Sequence, residues 1–271
     1  MRAGPETSKP ADGIRRETPA ASPYGRLPPA RYGAVSRAFN AGRRYGLALL
    51  LALALFPAGA LGQEEGGSGS ATDDAAPQNF RILAFGASIV QGYGLPPGEG
   101  LTAKLDEALT ERGYAVEVVN AGVSGDTTAG GLARLDWTLG DRYDLAILAL
   151  GSNDGLRGID PADTRANLDA MLATLAQKNL PVLLVGMYAP RNLGADYVAA
   201  FDAIYPALAE QHHVAGFMPF LLEGVALDPA LNQPDGIHPN EAGVAVMVET
   251  MLPYLLPLLP APAAAAAGTG G

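Results

Sequence analysis

The sequence predicts a doubly wound, three-layer α/β/α domain built on a parallel sheet. Three observations carry the prediction: short apolar runs recur along the middle of the chain, amphipathic stripes lie between them, and polar or Gly-containing clusters follow most of the runs. Strands buried on both faces of a parallel sheet read as unbroken apolar runs rather than as alternating ones. Helices between such strands cover the sheet, and ligands gather at the strands' carboxyl ends.

Taken in order, the strands fall at residues 82–85, 116–119, 145–150 and 182–185, with a less apolar fifth at 215–218. Between the first two, Leu101, Leu105, Ala108 and Leu109 mark one helical stripe; between the third and fourth, Leu168, Met171, Leu172 and Leu175 mark another. The second helix carries its own start signal. Asp160 can accept from the free amides of the first turn, and Pro161 sits where no donor is needed. A last helix is expected to begin at Pro239.

With 48% hydrophobic and 17% charged residues, the middle of the chain has enough apolar material for a core and too few charges for a disordered chain. Charge is divided unevenly. Residues 1–62 hold nine of the 18 basic and three of the 28 acidic residues, which leaves the remainder near −16. A body so acidic does not neutralise phosphates, so nucleic acid is excluded as a partner. Cysteine is absent, which removes disulfides, thiolate metal sites and cysteine nucleophiles together.

Arg43 and Arg44 precede an apolar run at 47–56, and the small residues Ala58, Gly59, Ala60 and Gly62 follow it. That order is the pattern of a secretory signal peptide, with the mature chain starting near Leu61 or Gln63. The run is about half the length of a membrane span. The expected division is an N-terminal extension with signal peptide at 1–62, a flexible linker at 63–79, one domain at 80–258 and an Ala/Gly/Pro tail at 259–271. The protein is therefore expected in the periplasm or outside the cell, without stable membrane insertion after cleavage.

Four polar clusters fall where that fold would gather them. Gly86-Ala87-Ser88 follows the first strand, Ser124-Gly125-Asp126 the second and Ser152-Asn153-Asp154 the third, while Asp235-Gly236-Ile237-His238 precedes the last helix. Taken singly, Ser88 reads as a helix cap, Gly125 as a tight turn and Asn153 as an Asx turn. Together they supply a nucleophile, oxyanion donors and a base with its orienter, which is the set acyl transfer needs. Of the three histidines, His212 and His213 close a polar helical segment and read as a solvated helix end. His238 is the candidate base.

Four longer runs carry a resemblance: VNAGVSGDTTAGGLARL at 119–135, LGSNDGLRG at 150–158, FDAIYPALA at 201–209 and DGIHPNEAG at 235–243. With them the chain resembles the SGNH subgroup of the GDSL hydrolases, in its branch of bacterial multifunctional thioesterases, arylesterases and lysophospholipases. The resemblance implies a flavodoxin-like sheet, Ser88 as nucleophile, His238 as base and Asp235 as its orienter. It also implies an oxyanion hole formed by the amides of Ser88 and Gly125 and the side-chain amide of Asn153. The expected substrate is a small acyl ester or thioester, hydrolysed by a monomer with neither metal nor organic cofactor. Leu156 and Ile159, on a loop over the acyl chain, and Tyr188 and Pro190, in another wall of an apolar groove, are the expected substrate-binding residues.

One departure stands out. The family's first block usually reads Gly-Asp-Ser, whereas here it is Gly86-Ala87-Ser88, so a carboxylate beside the nucleophile is missing. A catalytically weakened relative that binds carbohydrate or lipid, and a carbohydrate O-acetyl esterase, are the alternatives this leaves open. A flavin-binding protein of the same architecture is disfavoured, because GASIVQGYG at 86–94 lacks a phosphate-cradling fingerprint.

Overall fold

Parallel strands in the order β2-β1-β3-β4-β5 form one five-stranded sheet. They are β1 (Phe80–Gly86), β2 (Val116–Gly122), β3 (Leu145–Ala149), β4 (Val182–Val185) and β5 (Gly216–Met218). The computed structural model describes residues 79–262. The signal peptide and all but the last residue of the expected linker lie outside the described residues, as does the tail from residue 263 onward. Every residue of β3 and β4 is buried, whereas in β2 at the sheet edge only Val116 is buried, and Glu117 and Asn120 are exposed. That is why the central strands read as continuous apolar runs and the edge strand less so.

Among the described residues seven α-helices connect the strands, α1 (Ser88–Gln91), α2 (Leu101–Glu111), α3 (Thr128–Thr138), α4 (Ser152–Arg157), α5 (Pro161–Gln177), α6 (Ala195–Asp202) and α7 (Ile204–Gln211), and an eighth, α8 (Glu241–Leu255), follows the last strand. Helix α2 packs on β2 and α8, and α8 on β5; α3 packs on α5, and α5 on α6 and α7. The stripe Leu101, Leu105, Ala108 and Leu109 is buried, as is Leu168, Met171, Leu172 and Leu175. Asp160 caps α5 through Ala162 N–H at 2.9 Å, with Pro161 next to it. The segment Glu241–Leu258 has a mean hydropathy of 1.3, high enough for a membrane span. Here, however, Val244, Met247, Val248, Met251 and Leu255 are buried and the helix packs on α2 and β5 as part of the core.

Two local expectations are corrected. The last helix starts at Glu241 rather than Pro239, because the Asn240 side chain accepts from Gly243 N–H and caps it, while Pro239 pairs in extended form with Asn232. His212 is not a solvated helix end. Its Nε2 lies 2.6 Å from Asp169 Oδ1 and its side chain is only 16% exposed, because α7 lies against α5 and brings the ring onto that carboxylate. His213 does remain exposed.

The sheet order reverses at β1, where β2 lies on one side and β3 on the other, and such a switch point opens a crevice at the strands' carboxyl ends. Gly86 is in register with Gly122 of β2 and Ala149 of β3, so the three strands end level. The loops that follow therefore start from one edge. A Cβ on Gly122 would stand 2.2 Å from the backbone nitrogen of Gln91, so only glycine lets α1 sit this close over the end of β2.

Candidate active site

Ser88 opens α1 two positions beyond the end of β1. Its residue is 7% exposed, and its Oγ lies 2.9 Å from His238 Nε2. His238 Nδ1 lies 2.7 Å from Asp235 Oδ2. The Asp-x-x-His spacing serves two purposes. Asp235 Oδ1 accepts from the amides of Ile237 and His238, each at 3.0 Å, closing the turn that brings its other oxygen to the ring. An ionised carboxylate only accepts, so the imidazole proton sits on Nδ1 and Nε2 faces the serine hydroxyl as an acceptor.

The Asp235 carboxyl is held down to about 2, chiefly by its hydrogen bond with His238; burial opposes this, and the Ile237 and His238 amides add smaller lowering contributions. Gln233 suspends the same loop from the serine side: its Nε2 donates to the carbonyls of Tyr93 at 2.8 Å and Pro239 at 2.9 Å. The Tyr93 ring packs on the imidazole with 4.8 Å between centroids.

Gly125 lies at the third position of a turn closed by Asp126 N–H donating to Val123 C=O at 3.1 Å. Its φ of 82° is the left-handed conformation that the third residue of a type II turn requires and that glycine adopts without strain. Among the described residues no acceptor takes the backbone N–H of Ser88 or of Gly125. Asn153, second residue of α4, donates from Nδ2 to Asp126 C=O at 2.9 Å. An amide NH2 has two hydrogens, so this bond orients the group and leaves the second N–H for a ligand. Three donors thus stand at the level ends of β1, β2 and β3.

Next to Asn153, Asp154 is 1% exposed and accepts from Thr128 N–H at 2.9 Å, Thr128 Oγ1 at 2.5 Å and Thr164 Oγ1 at 3.3 Å. It locks α4 to the start of α3, where a carboxylate also suits the helix dipole. Truncating it strands buried donors, so Asp154→Ala is expected to cost on the order of 2–4 kcal/mol of stability. Urea unfolding checks this, and an unchanged midpoint would show that the network contributes nothing.

Of the expected substrate-binding residues, Leu156 is 52% exposed on α4. The Ile159 carbonyl accepts from Tyr197 OH at 2.8 Å, Pro190 stands where a side chain on Gly155 would touch it, and the Tyr188 ring packs tilted against Phe220 with 4.5 Å between centroids. Tyr93, Val123 and Ile237 are also exposed apolar side chains on the loops that carry the polar groups. Sequence reading gave no role to Tyr93, Gln233, Asp154 or Arg134. Of these only Arg134 and Asp154 fall inside the long motif runs, and their partners are supplied by the tertiary fold. Among the described residues no three His, Cys, Asp or Glu side chains are grouped to share a metal ion.

Known proteins share this architecture. The sequence model of the GDSL-like lipase/acylhydrolase family matches residues 84–246. Esterase TesA of Pseudomonas aeruginosa is 42% identical over 189 residues, covering 69% of this chain and 92% of that protein. Thioesterase 1/protease 1/lysophospholipase L1 of Escherichia coli K12 is 37% identical over 179 residues, covering 66% and 84%. Among solved structures, TesA superposes with a TM-score of 0.63, covering 66% of this chain and 99% of that one. AlinE4, described as an SGNH-hydrolase family esterase, superposes with a TM-score of 0.56 at 47% identity, covering 68% and 98%.

Proposed function

Because this chain belongs to the GDSL-like lipase/acylhydrolase family and is an ester-hydrolysing enzyme, we propose that it works through an acyl-enzyme on Ser88. The observation that carries the reading is the unbroken chain from Ser88 Oγ through His238 to Asp235, with contacts of 2.9 and 2.7 Å. His238 Nε2 takes the hydroxyl proton as Oγ attacks the acyl carbonyl. The carbonyl electron pair moves to oxygen, where the amides of Ser88 and Gly125 and the free N–H of Asn153 receive the charge. As the intermediate collapses, the imidazolium returns the proton to the departing alcohol or thiol. Water then attacks the acyl-enzyme with His238 again as base; the second tetrahedral intermediate expels Ser88 Oγ, which takes the proton back from the imidazolium as the carboxylic acid leaves, and the cycle uses neither metal nor organic cofactor.

The groove is proposed to take small acyl esters or thioesters, including aryl esters and lysophospholipids. Exposed apolar side chains around the site support this: Leu156 on α4 with Asn153 rather than on a loop, and Val123 near the Gly125 turn and Tyr93 and Ile237 near His238 on the surrounding loops. Ile159, Tyr188 and Pro190 are proposed as the remaining apolar wall. The same proposal has the 80–258 domain acting as a monomer, without nucleic acid, after export to the periplasm or the medium. The Arg43-Arg44 pair, the apolar run at 47–56 and the small residues after it support export.

Labelling with a fluorophosphonate tests the nucleophile. The probe is expected to form its adduct on Ser88 by peptide mapping, and none on the Ser88→Ala protein. A folded protein that takes no label, or takes it elsewhere, overturns the assignment despite the geometry.

A further inference from the structure

Arg134 lies on α3, away from the serine hydroxyl, yet its side chain joins the supports of all three proposed oxyanion donors. Its Nε donates to Asp126 Oδ2 at 2.7 Å, and its Nη2 donates to the Gly86 carbonyl at 3.0 Å. The guanidinium lies 3.9 Å over the centroid of the Phe85 ring, which is 1% exposed. The Arg134 and Asp126 side chains are 21% and 17% exposed, so the pair is largely shielded from solvent. Room for the carboxylate is reserved in the helix: a Cβ on Gly130 would stand 2.7 Å from Asp126 Oδ1.

We infer that Arg134, with Asp126, is the positioning residue of the oxyanion hole, an inference that rests on the acyl-enzyme reading above. Gly86 is the last residue of β1, and its carbonyl also accepts from Val123 N–H at 3.1 Å. Fixing that carbonyl fixes the Gly86–Ala87 peptide, which leads directly into the peptide that carries the Ser88 amide, itself held where the Ala87 carbonyl accepts from Gln91 N–H at 3.0 Å. Asp126 follows Gly125 directly, so anchoring its side chain holds the turn that presents the Gly125 amide. The Asp126 carbonyl orients the Asn153 amide at 2.9 Å. One planar cation with donors in a fixed fork suits a task in which two acceptors must keep their separation.

Ala87 gives this arrangement added weight. Its side chain has no polar atom and makes no capping bond at the start of α1. The nucleophile turn is therefore held by its backbone, through the carbonyls of Gly86, Ala87 and Ser88, of which, among the described residues, only that of Gly86 is tied to a side chain outside the turn. An oxyanion hole gains its effect from donors fixed before charge develops, and small misplacements of reacting groups cost rate steeply.

The test compares parent, Arg134→Met, Arg134→Lys and Asp126→Asn proteins in hydrolysis of a short aryl ester. Arg134→Met is expected to lower kcat on the order of 10²-fold with KM within about threefold of the parent. Affinity for an alkyl trifluoromethyl ketone, which forms a tetrahedral oxyanion on serine, should fall in parallel with kcat. The midpoint of the acid limb of the pH profile should not move, because the base is untouched and a guanidinium does not titrate there. Arg134→Lys, which keeps the charge and loses the fork, is expected to recover only part of kcat.

A folded Arg134→Met protein with kcat within about threefold of the parent overturns the inference. So does a loss of kcat without loss of ketone affinity, or one accompanied by a shifted acid limb. Should Arg134→Met fail to fold, Asp126→Asn keeps the backbone carbonyl and side-chain shape, and the same signature is required of it at about tenfold in kcat. A Ser88→Ala protein that still turns over would sink the acyl-enzyme reading instead, so the two failures are distinguishable.

Discussion

Ser88→Ala is expected to abolish ester hydrolysis, with a loss in kcat on the order of 10⁵-fold or more, while the protein stays folded. The structure separates the two effects. The Ser88 hydroxyl bonds His238 Nε2 at 2.9 Å, and the start of α1 does not depend on it, since that helix has no side-chain cap. Removing one oxygen from a small side chain leaves no large cavity, and the imidazole keeps its 2.7 Å contact with Asp235. What is lost is the atom proposed to form the acyl bond. His238→Ala is expected to fall by a similar factor, because nucleophile and base act as a unit and their losses do not add. The check is initial-rate hydrolysis of an aryl ester by purified variants, with thermal melting to confirm the fold. Turnover within tenfold of the parent in a folded Ser88→Ala protein removes that serine from the mechanism.

The central strands were legible because β3 and β4 are buried on both faces, leaving an unbroken apolar run. Helices α2 and α5 were legible because eleven and seventeen residues are long enough to show a stripe. Helices α1 and α4, of four and six residues, have no period to detect, yet they carry Ser88 and Asn153. The Asp-x-x-His pair could be read because a three-residue turn closes it locally. Gln233 could not, since its partner Tyr93 is 140 positions away and offers a backbone carbonyl that any residue has. Arg134 is similar: the sequence reading placed no helix between the second and third strands, and the Gly86 carbonyl it holds is identifiable only after β1 and α3 have packed. The misreading of His212 has the same origin, because Asp169 meets it only when α7 lies on α5.

Asp235→Asn is expected to lower kcat on the order of 10³- to 10⁴-fold without dismantling the loop. Asparagine keeps an oxygen that can accept from the Ile237 and His238 amides, as Asp235 Oδ1 does at 3.0 Å, so the turn survives. Its NH2 group cannot accept the Nδ1 proton, and in facing the ring it favours the tautomer with the proton on Nε2, where no lone pair is left for Ser88. The charge that stabilises the imidazolium is lost as well. The pH dependence of the parent follows from the same carboxyl, held down to about 2. A lowered value in the folded state means a contribution to stability that is present above the ordinary carboxylate range and lost as pH falls from about 4 towards 2. With the Asp235 side chain 39% exposed, solvent screening keeps that contribution small. For activity the consequence is larger: Asp235 is already ionised wherever ester hydrolysis is ordinarily measured, so its carboxyl should add no proton step to the acid side of kcat/KM. Profiles of parent and variant between about pH 4 and 9 check both statements. A two-proton acid limb in the parent, or a loss below tenfold in Asp235→Asn, would show that the carboxylate does not set the state of the base.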